Sequence, residues 1–320
     1  MSALKASVPN DPTNKPDFRA RFMAWWNGHE LPGASPGSGF VPPSGADGHD
    51  VRYEGPNLQW ETARLKLAQE VWGEGFCTPG GAEHILEMVK FFALDPSMSV
   101  LDLGAGLGGA SRVMAKEFGV WVTGLEANKE LAEAGDALST KAGLGNKAPV
   151  KHFDPATFEQ KQKSIDCIFS KESFFTIADK PEFLRMVESA LKPRGQLLFT
   201  DYVLAGRALT SKALDRWAEF EPVTPLPWAA EDYQEALEAL HLDIRIVEDH
   251  TEQFHGLVTR AWADYIEVLA KRGIEAEEGA ALVAEVELWA RRVQAIEAGD
   301  LKVCRIHALK RDTDRLMSSW

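Results

Sequence analysis

Cysteine is scarce in this 320-residue sequence, which has three widely spaced examples. They are Cys77, Cys167 and Cys304, and no two of them form the C-x-x-C pair that many zinc sites and redox motifs use. An odd, scattered set also excludes a disulfide framework. We therefore expect reduced thiols, no metal ion and a cytoplasmic location.

Basic residues are outnumbered, because 35 Lys and Arg against 48 Asp and Glu give a formal net charge of −13. Nucleic acids and anionic membranes attract clusters of lysine and arginine, and no such cluster stands out. Apolar runs are short, and none approaches the roughly 20 residues that a membrane-spanning helix needs. The first residues lack the apolar segment of a signal peptide. These absences predict a small-molecule ligand, no nucleic-acid partner and no membrane insertion.

The N-terminal part combines an aromatic helical pattern with a stretch rich in glycine, proline and serine. Aromatic spacing predicts a short helix over residues 15–29, and composition predicts a flexible linker over residues 31–56. We interpret residues 1–57 as an N-terminal helix and linker that acts as a lid.

A lid excludes water and completes a site, so its loss affects turnover more than folding. Deleting residues up to Pro56 is expected to leave a folded protein that binds its ligand but turns over poorly. Calorimetry and steady-state rates measure these two properties separately. Full activity of the truncated chain would show that the segment is only a tail.

Short β-rich runs alternate with helical patterns from residue 99 onward, which predicts an α/β fold with a doubly wound, Rossmann-like sheet. The predicted strands are Val100–Leu103, Trp121–Leu125, Pro149–Phe153, Ile165–Phe169, Gln196–Tyr202, Leu242–Glu248 and Leu301–Lys310. Residues 58–204 are assigned to the cofactor-binding core, and residues 205–300 to remaining core elements and a helical cap. Residues 301–320 supply the final strand and a tail. Ligands of such sheets bind at the carboxyl ends of the strands.

A glycine cluster follows the first strand, with Gly104, Gly106 and Gly109 spaced as G-x-G-x-x-G. A plain strand-to-helix turn can have the same glycines, so the motif alone is a weak signal and the acidic residues around it carry the prediction. The carboxylate of Asp102 would repel the pyrophosphate of a dinucleotide and suits the ammonium group of S-adenosyl-L-methionine. Glu126, at the end of the second strand, suits the ribose hydroxyls of either ligand. The pattern therefore favours S-adenosylmethionine over NAD.

Later strand ends add three candidates for the cofactor site. Asp154 is placed to accept a hydrogen bond from the adenine amino group, Phe153 to stack on the ring, and Ser170 ends the fourth strand at the same edge. Aspartate at a strand end is also a common turn former, so a structural role for Asp154 stays open.

These segments resemble the class I S-adenosylmethionine-dependent methyltransferases and, among them, the phosphoethanolamine N-methyltransferases. The resemblance extends from about residue 71 to residue 311, and six stretches carry it: "VWGEGFCTPGG", "LDLGAGLGG", "FSKESFF", "FTDYV", "EDHTEQF" and the tail "ELWARRVQAIEAGDLKVCRIHALKR". The family likeness implies a seven-stranded sheet. It also implies that Gly80 and Gly81 bind the methionine part of the cofactor, and that Glu172 and Tyr202 face the methyl acceptor.

The sequence departs from that family where the acceptor binds. Trp60 stands where the family has a tyrosine, and Thr176 where it has a histidine. The family's phosphate-binding arginine and tyrosine have no clear counterpart in "EFEPVTPLPWAAEDY", and Arg291 or Arg292 replaces its tail lysine. Phosphoethanolamine is therefore expected to be a poorer substrate than an acceptor without a phosphate.

Methylation of an amine requires loss of a proton, so a base is needed near the acceptor. Glu172 and Tyr202, at adjacent strand ends, are the first catalytic candidates, and His255 in the cap is the third. Each has a structural alternative, as a solvated acid, a core tyrosine or a structural histidine. Five aromatic residues are candidates for a cage or apolar pocket that binds the acceptor: Trp60, Phe174, Phe175, Trp217 and Trp228. Arg292 is a further candidate for acceptor binding.

The sequence thus predicts an S-adenosylmethionine-dependent methyltransferase acting on the amine nitrogen of a small molecule. Methylation of sulfur, oxygen or carbon in another metabolite or lipid-like compound stays open, because the fold does not fix the acceptor. A cofactor-binding protein without catalysis is the third alternative.

Overall fold

The computed structural model describes residues 58–275 and 278–312, so the predicted N-terminal helix and linker lie outside the described residues. Seven strands in these ranges form one sheet: β1 (Ser99–Leu103), β2 (Trp121–Glu126), β3 (Val150–His152), β4 (Ile165–Lys171), β5 (Leu191–Leu204), β6 (Leu242–Asp249) and β7 (Leu301–Lys310). The described α-helices are α1 (Thr62–Trp72), α2 (Gly81–Val89), α3 (Gly109–Phe118), α4 (Lys129–Lys141), α5 (Lys180–Ala190), α6 (Lys212–Ala218), α7 (Ala230–Ala239), α8 (Thr251–Arg272) and α9 (Gly279–Glu297). None of these helices is both long and apolar enough to cross a membrane.

The strand order across the sheet is β3-β2-β1-β4-β5-β7-β6. The five strands β3, β2, β1, β4 and β5 pair in parallel with their neighbours in the sheet. The strand β7 lies between β5 and β6 and is antiparallel to both. The chain winds outward from β1 in both directions, so the switch point that binds ligands in such sheets lies beside β1. The predicted doubly wound α/β fold is confirmed.

The central strands are buried on both faces, which explains their continuous apolar runs. Every residue of β1 after Ser99 is buried, and β4 is nearly as inaccessible. β5 starts at Leu191, before the predicted Gln196, because Leu191 already pairs with Ile165. The register then shifts, and regular pairing resumes at Gln196.

The first helix packs with the cap, although the sequence assigned its residues to the cofactor-binding core. Residues of α1, α8 and α9 share one hydrophobic cluster, which also contains Tyr202 of β5. The ring of Trp72 lies 4.4 Å from that of Trp289 and 6.1 Å from that of Trp262. A segment that precedes the sheet in the chain thus packs with the two long helices that the sequence assigned to a cap.

Candidate active site

The glycine loop joins β1 to α3 and needs a backbone that other residues rarely adopt. Gly104, Gly106 and Gly108 have φ angles of 76°, 55° and 73°, in the left-handed region. A Cβ at Gly104 would collide with the side chain of Ser173, and one at Gly106 would lie 2.6 Å from Sγ of Cys77. The glycines therefore allow the loop to lie closely against two neighbouring segments.

Two carboxylates flank this loop, and both are buried. Glu126 accepts hydrogen bonds from the amide of Gly106 through Oε2 and from that of Asn128 through Oε1, each at 2.8 Å. Burial raises its pKa, while these backbone donors act in the opposite direction. Asp102 accepts a 2.6 Å hydrogen bond from Ser111 Oγ, and burial raises the pKa of Asp102 to about 7. The charge of Glu126 adds to that rise.

The other predicted cofactor residues lie around the same edge. Gly80 and Gly81 both have positive φ at the start of α2, and a Cβ at Gly80 would collide with the ring of His84. Phe153 is half-buried, and its amide donates to the carbonyl of Glu126 at 3.1 Å. Asp154 is exposed and caps a short turn by accepting from the amide of Ala156.

Ser170 is fully buried near the end of β4. Its hydroxyl donates to the carbonyl of Leu103 at the end of β1, over 2.7 Å. The hydroxyl thus links the ends of the two central strands. Its predicted part in cofactor binding stays a prediction.

Glu172 follows β4 directly and has a left-handed backbone, with φ of 42°. Strain of this kind persists where the surrounding structure enforces it, often at functional sites. The amide of Glu172 donates to the carbonyl of Thr200, and its carboxylate accepts from the Thr200 hydroxyl at 2.7 Å. Lys171 Nζ lies 2.5 Å from the other carboxylate oxygen. Thr200 and Lys171 were not predicted as site residues, although Lys171 lies between Ser170 and Glu172 and Thr200 is two residues before Tyr202.

Tyr202 of β5 lies in an aromatic environment. Its ring makes edge-on contacts with Phe175 and Phe254 at centroid distances of 5.1 Å and 5.6 Å, and Trp217 lies 6.1 Å away. Burial raises the pKa of the Tyr202 phenol well above its usual range, despite the nearby charge of Arg292. At neutral pH the hydroxyl therefore keeps its proton, which favours Glu172 as the base.

The predicted acceptor residues fall into two groups. Trp60, Trp217 and Arg292 lie around the hydrophobic cluster of Tyr202. Phe174 and Trp228 belong to the other large cluster, which packs around α5 and α7. Phe174 and Phe175 are adjacent in one turn and lie in different clusters, so Phe175 is the residue that contacts Tyr202.

His255 makes its polar contact with a glutamate of the neighbouring helix. Its Nε2 is 2.9 Å from Glu297 Oε1, and a third of the His255 side chain is exposed. This contact joins α8 to the end of α9. A catalytic role for His255 stays a prediction that this geometry does not favour.

Two buried glutamates of the cap were missed by sequence reasoning. Glu221 accepts from Trp217 and Arg292, and Glu285 accepts from Trp289 and Arg64. A lone glutamate in a loop or a helix gives no sequence signal for burial. Trp217 was predicted as an acceptor residue, but its indole N–H group gives no sequence signal for the acid that it binds.

The comparison with family models decides the affiliation. Residues 82–244, about half of the chain, match the model of a methyltransferase domain. This chain belongs to that methyltransferase family. The affiliation confirms the predicted class I methyltransferase resemblance. It also agrees with a glycine loop bounded by two buried acids.

Named relatives of this methyltransferase-family chain include N-methyltransferases. Phosphoethanolamine N-methyltransferase 1 of Arabidopsis thaliana is 30% identical over 208 residues, which cover 64% of this chain and 40% of that protein. Glycine/sarcosine/dimethylglycine N-methyltransferase of Actinopolyspora halophila is 31% identical over 108 residues, 34% of this chain and 19% of that protein. The chain thus matches less than half the length of these curated relatives.

Solved structures share the fold. Phosphoethanolamine N-methyltransferase 2 of Haemonchus contortus, in complex with phosphomonomethylethanolamine and S-adenosylhomocysteine, superposes with a TM-score of 0.69 at 22% identity. The match covers 80% of this chain and 59% of that one. A sarcosine dimethylglycine methyltransferase of Galdieria sulphuraria, described as putative, gives a TM-score of 0.65 at 18% identity and covers 78% of this chain and 98% of that one.

Proposed function

We propose that the protein transfers a methyl group from S-adenosylmethionine to the amine nitrogen of a small molecule. The observation that carries this proposal is the pair of buried carboxylates, Asp102 and Glu126, on either side of a left-handed glycine loop. Glu172 directly follows β4 and Tyr202 lies near the end of β5, which pairs with β4 in parallel. The N-methyltransferases among the relatives support an amine as the acceptor.

The residues around the glycine loop fit this cofactor. Positive-φ glycines let a nucleoside approach the backbone, and Glu126 has the acceptor oxygens that ribose hydroxyls need. Asp102 supplies a carboxylate for an ammonium group. A dinucleotide would bring a pyrophosphate to the same loop, where Asp102 and Glu126 disfavour added negative charge.

The bound cofactor supplies an electrophilic methyl group on a sulfonium. The amine lone pair forms the new N–C bond as the S–C bond breaks, and the sulfur keeps that electron pair in neutral S-adenosylhomocysteine. The chain must align the amine, exclude water and take the proton that the amine loses. Thr200 and Lys171 hold the carboxylate of Glu172 in one orientation for that proton. Aromatic side chains around Tyr202 keep the site dry.

Cofactor affinity is expected to depend on the ionisation of Asp102. With a pKa of about 7 in the free chain, this carboxyl must lose its proton when an ammonium group binds. Binding of S-adenosylhomocysteine should therefore release a proton below pH 7. Because one pKa unit corresponds to a factor of ten, affinity should fall about tenfold from pH 8 to pH 6. Calorimetry in two buffers measures both effects, and Asp102→Asn should abolish them.

The Asp102 carboxyl should also make the stability of the folded chain depend on pH. The folded chain holds the Asp102 proton up to about pH 7, whereas an ordinary aspartate loses it near 3.8. The free energy of unfolding should therefore decrease as pH rises between these values. Asp102→Asn should reduce this decrease, as measured by denaturant unfolding. If the free energy of unfolding of Asp102→Asn varies with pH as it does in wild type, the Asp102 carboxyl is less buried than the structure indicates.

The proposed function is tested with the full chain in two steps. Calorimetry should show saturable binding of S-adenosylhomocysteine and none of NAD. A screen with methyl-labelled S-adenosylmethionine and a pool of metabolites, read by mass spectrometry, should show label on an amine nitrogen. Label on sulfur, oxygen or carbon would contradict the amine assignment, and binding without any turnover would indicate a cofactor-binding protein.

A further inference from the structure

Two buried ion pairs lie in the aromatic core of the cap. Arg292 contacts both carboxylate oxygens of Glu221, through Nε at 2.6 Å and Nη2 at 2.7 Å. Arg64 forms the second pair, with Glu285. The side chains of Glu221 and Glu285 are 2% and 4% exposed, so water screens neither pair effectively.

Each glutamate also binds a tryptophan. The indole N–H of Trp217 donates to Glu221 at 2.5 Å, and that of Trp289 donates to Glu285 at 3.0 Å. Arg292 connects the two units, because its guanidinium lies 4.6 Å from the ring centroid of Trp289 and 5.6 Å from that of Tyr202. The pair Arg292–Glu221 therefore lies directly beside the tyrosine that the proposed function places near the acceptor.

The charge of Arg292 is already compensated within the protein. Burial lowers its pKa, but the charge of Glu221 and the hydrogen bonds with it raise the pKa above its usual range, so the arginine stays ionised. Recognition of phosphate or carboxylate by arginine relies on its forked N–H donors. Glu221 occupies two of those donors. An incoming anion would also meet the Glu221 carboxylate, and like charges repel strongly at a poorly solvated site.

We infer that Glu221 determines acceptor specificity by neutralising Arg292, so that the acceptor is an amine carrying no phosphate or carboxylate. This inference rests on the proposed methyl transfer. It attributes the choice of acceptor to the buried carboxylate of Glu221, which is 71 residues from Arg292 in the chain. Aromatic rings and a neutral ion pair then surround a neutral or cationic acceptor, which such rings bind well.

The test measures binding of phosphoethanolamine to protein saturated with S-adenosylhomocysteine, by calorimetry. Wild type should bind it too weakly to saturate. Glu221→Gln keeps the shape of the side chain and removes its charge, so phosphoethanolamine should bind at least about tenfold more tightly. Glu221→Gln/Arg292→Gln removes both charges and should lose that gain. Glu219→Gln is the matched control, because this neighbouring side chain is 73% exposed and should leave binding unchanged.

Removing one partner of a buried ion pair can unfold a protein, whereas removing both is tolerated better. A second measurement covers this case, since a ligand that binds the folded state raises its thermal midpoint. Phosphoethanolamine should raise the midpoint of Glu221→Gln and leave that of wild type and the double variant unchanged.

Two results would overturn the inference: saturable binding of phosphoethanolamine by wild type, or the absence of any gain in Glu221→Gln by either measurement. Failure of wild type to bind S-adenosylhomocysteine would instead contradict the proposed function itself. The saturation step therefore separates the two failures.

Discussion

Replacing Glu172 with glutamine is expected to lower kcat by about 10²- to 10⁴-fold, the usual effect of losing a general acid or base. The carboxylate is oriented by Thr200 and Lys171 at the end of β4, and an amide in its place does not take up the proton that the amine loses. The measurement is single-turnover methyl transfer to the amine that the metabolite screen identifies. Saturating cofactor keeps binding from limiting the rate.

The control for this variant is Glu182→Gln, which changes a half-exposed glutamate on α5 that pairs with Arg185. It should leave the rate unchanged. Affinity for S-adenosylhomocysteine should remain near wild type in both variants. The thermal midpoint of Glu172→Gln should fall, because Lys171 then loses its partner in a buried ion pair, whereas that of Glu182→Gln should stay near wild type. Tyr202→Phe should have a smaller effect than Glu172→Gln, because the buried phenol keeps its proton at neutral pH. A rate near wild type for Glu172→Gln, or a larger loss of rate for Tyr202→Phe, would show that a group other than Glu172 takes the proton from the amine.

Replacing Glu126 with alanine should weaken binding of S-adenosylhomocysteine by about 10- to 100-fold. Hydrogen bonds to a charged group contribute about 1.5–3 kcal/mol, and about 1.4 kcal/mol corresponds to a factor of ten. Glu126 also holds the loop, since it accepts from the amides of Gly106 and Asn128. Calorimetry with the purified full chain measures the change.

The matched control is Glu130→Ala, because Glu130 is an exposed acid in the first turn of the helix that follows Glu126. It removes the same charge from nearly the same place without touching the glycine loop. Its affinity should equal that of wild type. If both variants bind equally well, the nucleoside does not lie against the end of β2.

The residues predicted for the cofactor site could be identified in the sequence because their signals are local. Asp102, the glycines and Glu126 occur within one strand-loop-helix-strand unit, and the alternation of strands and helices fixes where that unit lies in the sheet. Strands that are buried on both faces have continuous apolar sequences. The alternation of such runs with helical patterns therefore predicted the doubly wound fold. The close approaches that need Gly104 and Gly106 became visible only with Ser173 and Cys77 in place.

The acceptor side was decided by tertiary structure. Arg64 and Glu285 are 221 residues apart in the chain, and no spacing rule connects a helix before the sheet with one near its end. Phe174 and Phe175 are neighbouring residues of the same type in one short turn. Their side chains nevertheless pack into two different hydrophobic clusters. Sequence determined which chemistry the strand ends hold, because local hydrogen bonds and backbone preferences fix those turns. Tertiary structure decided which charges neutralise each other in the cap, because burial energy depends on distant partners that meet only when the helices pack.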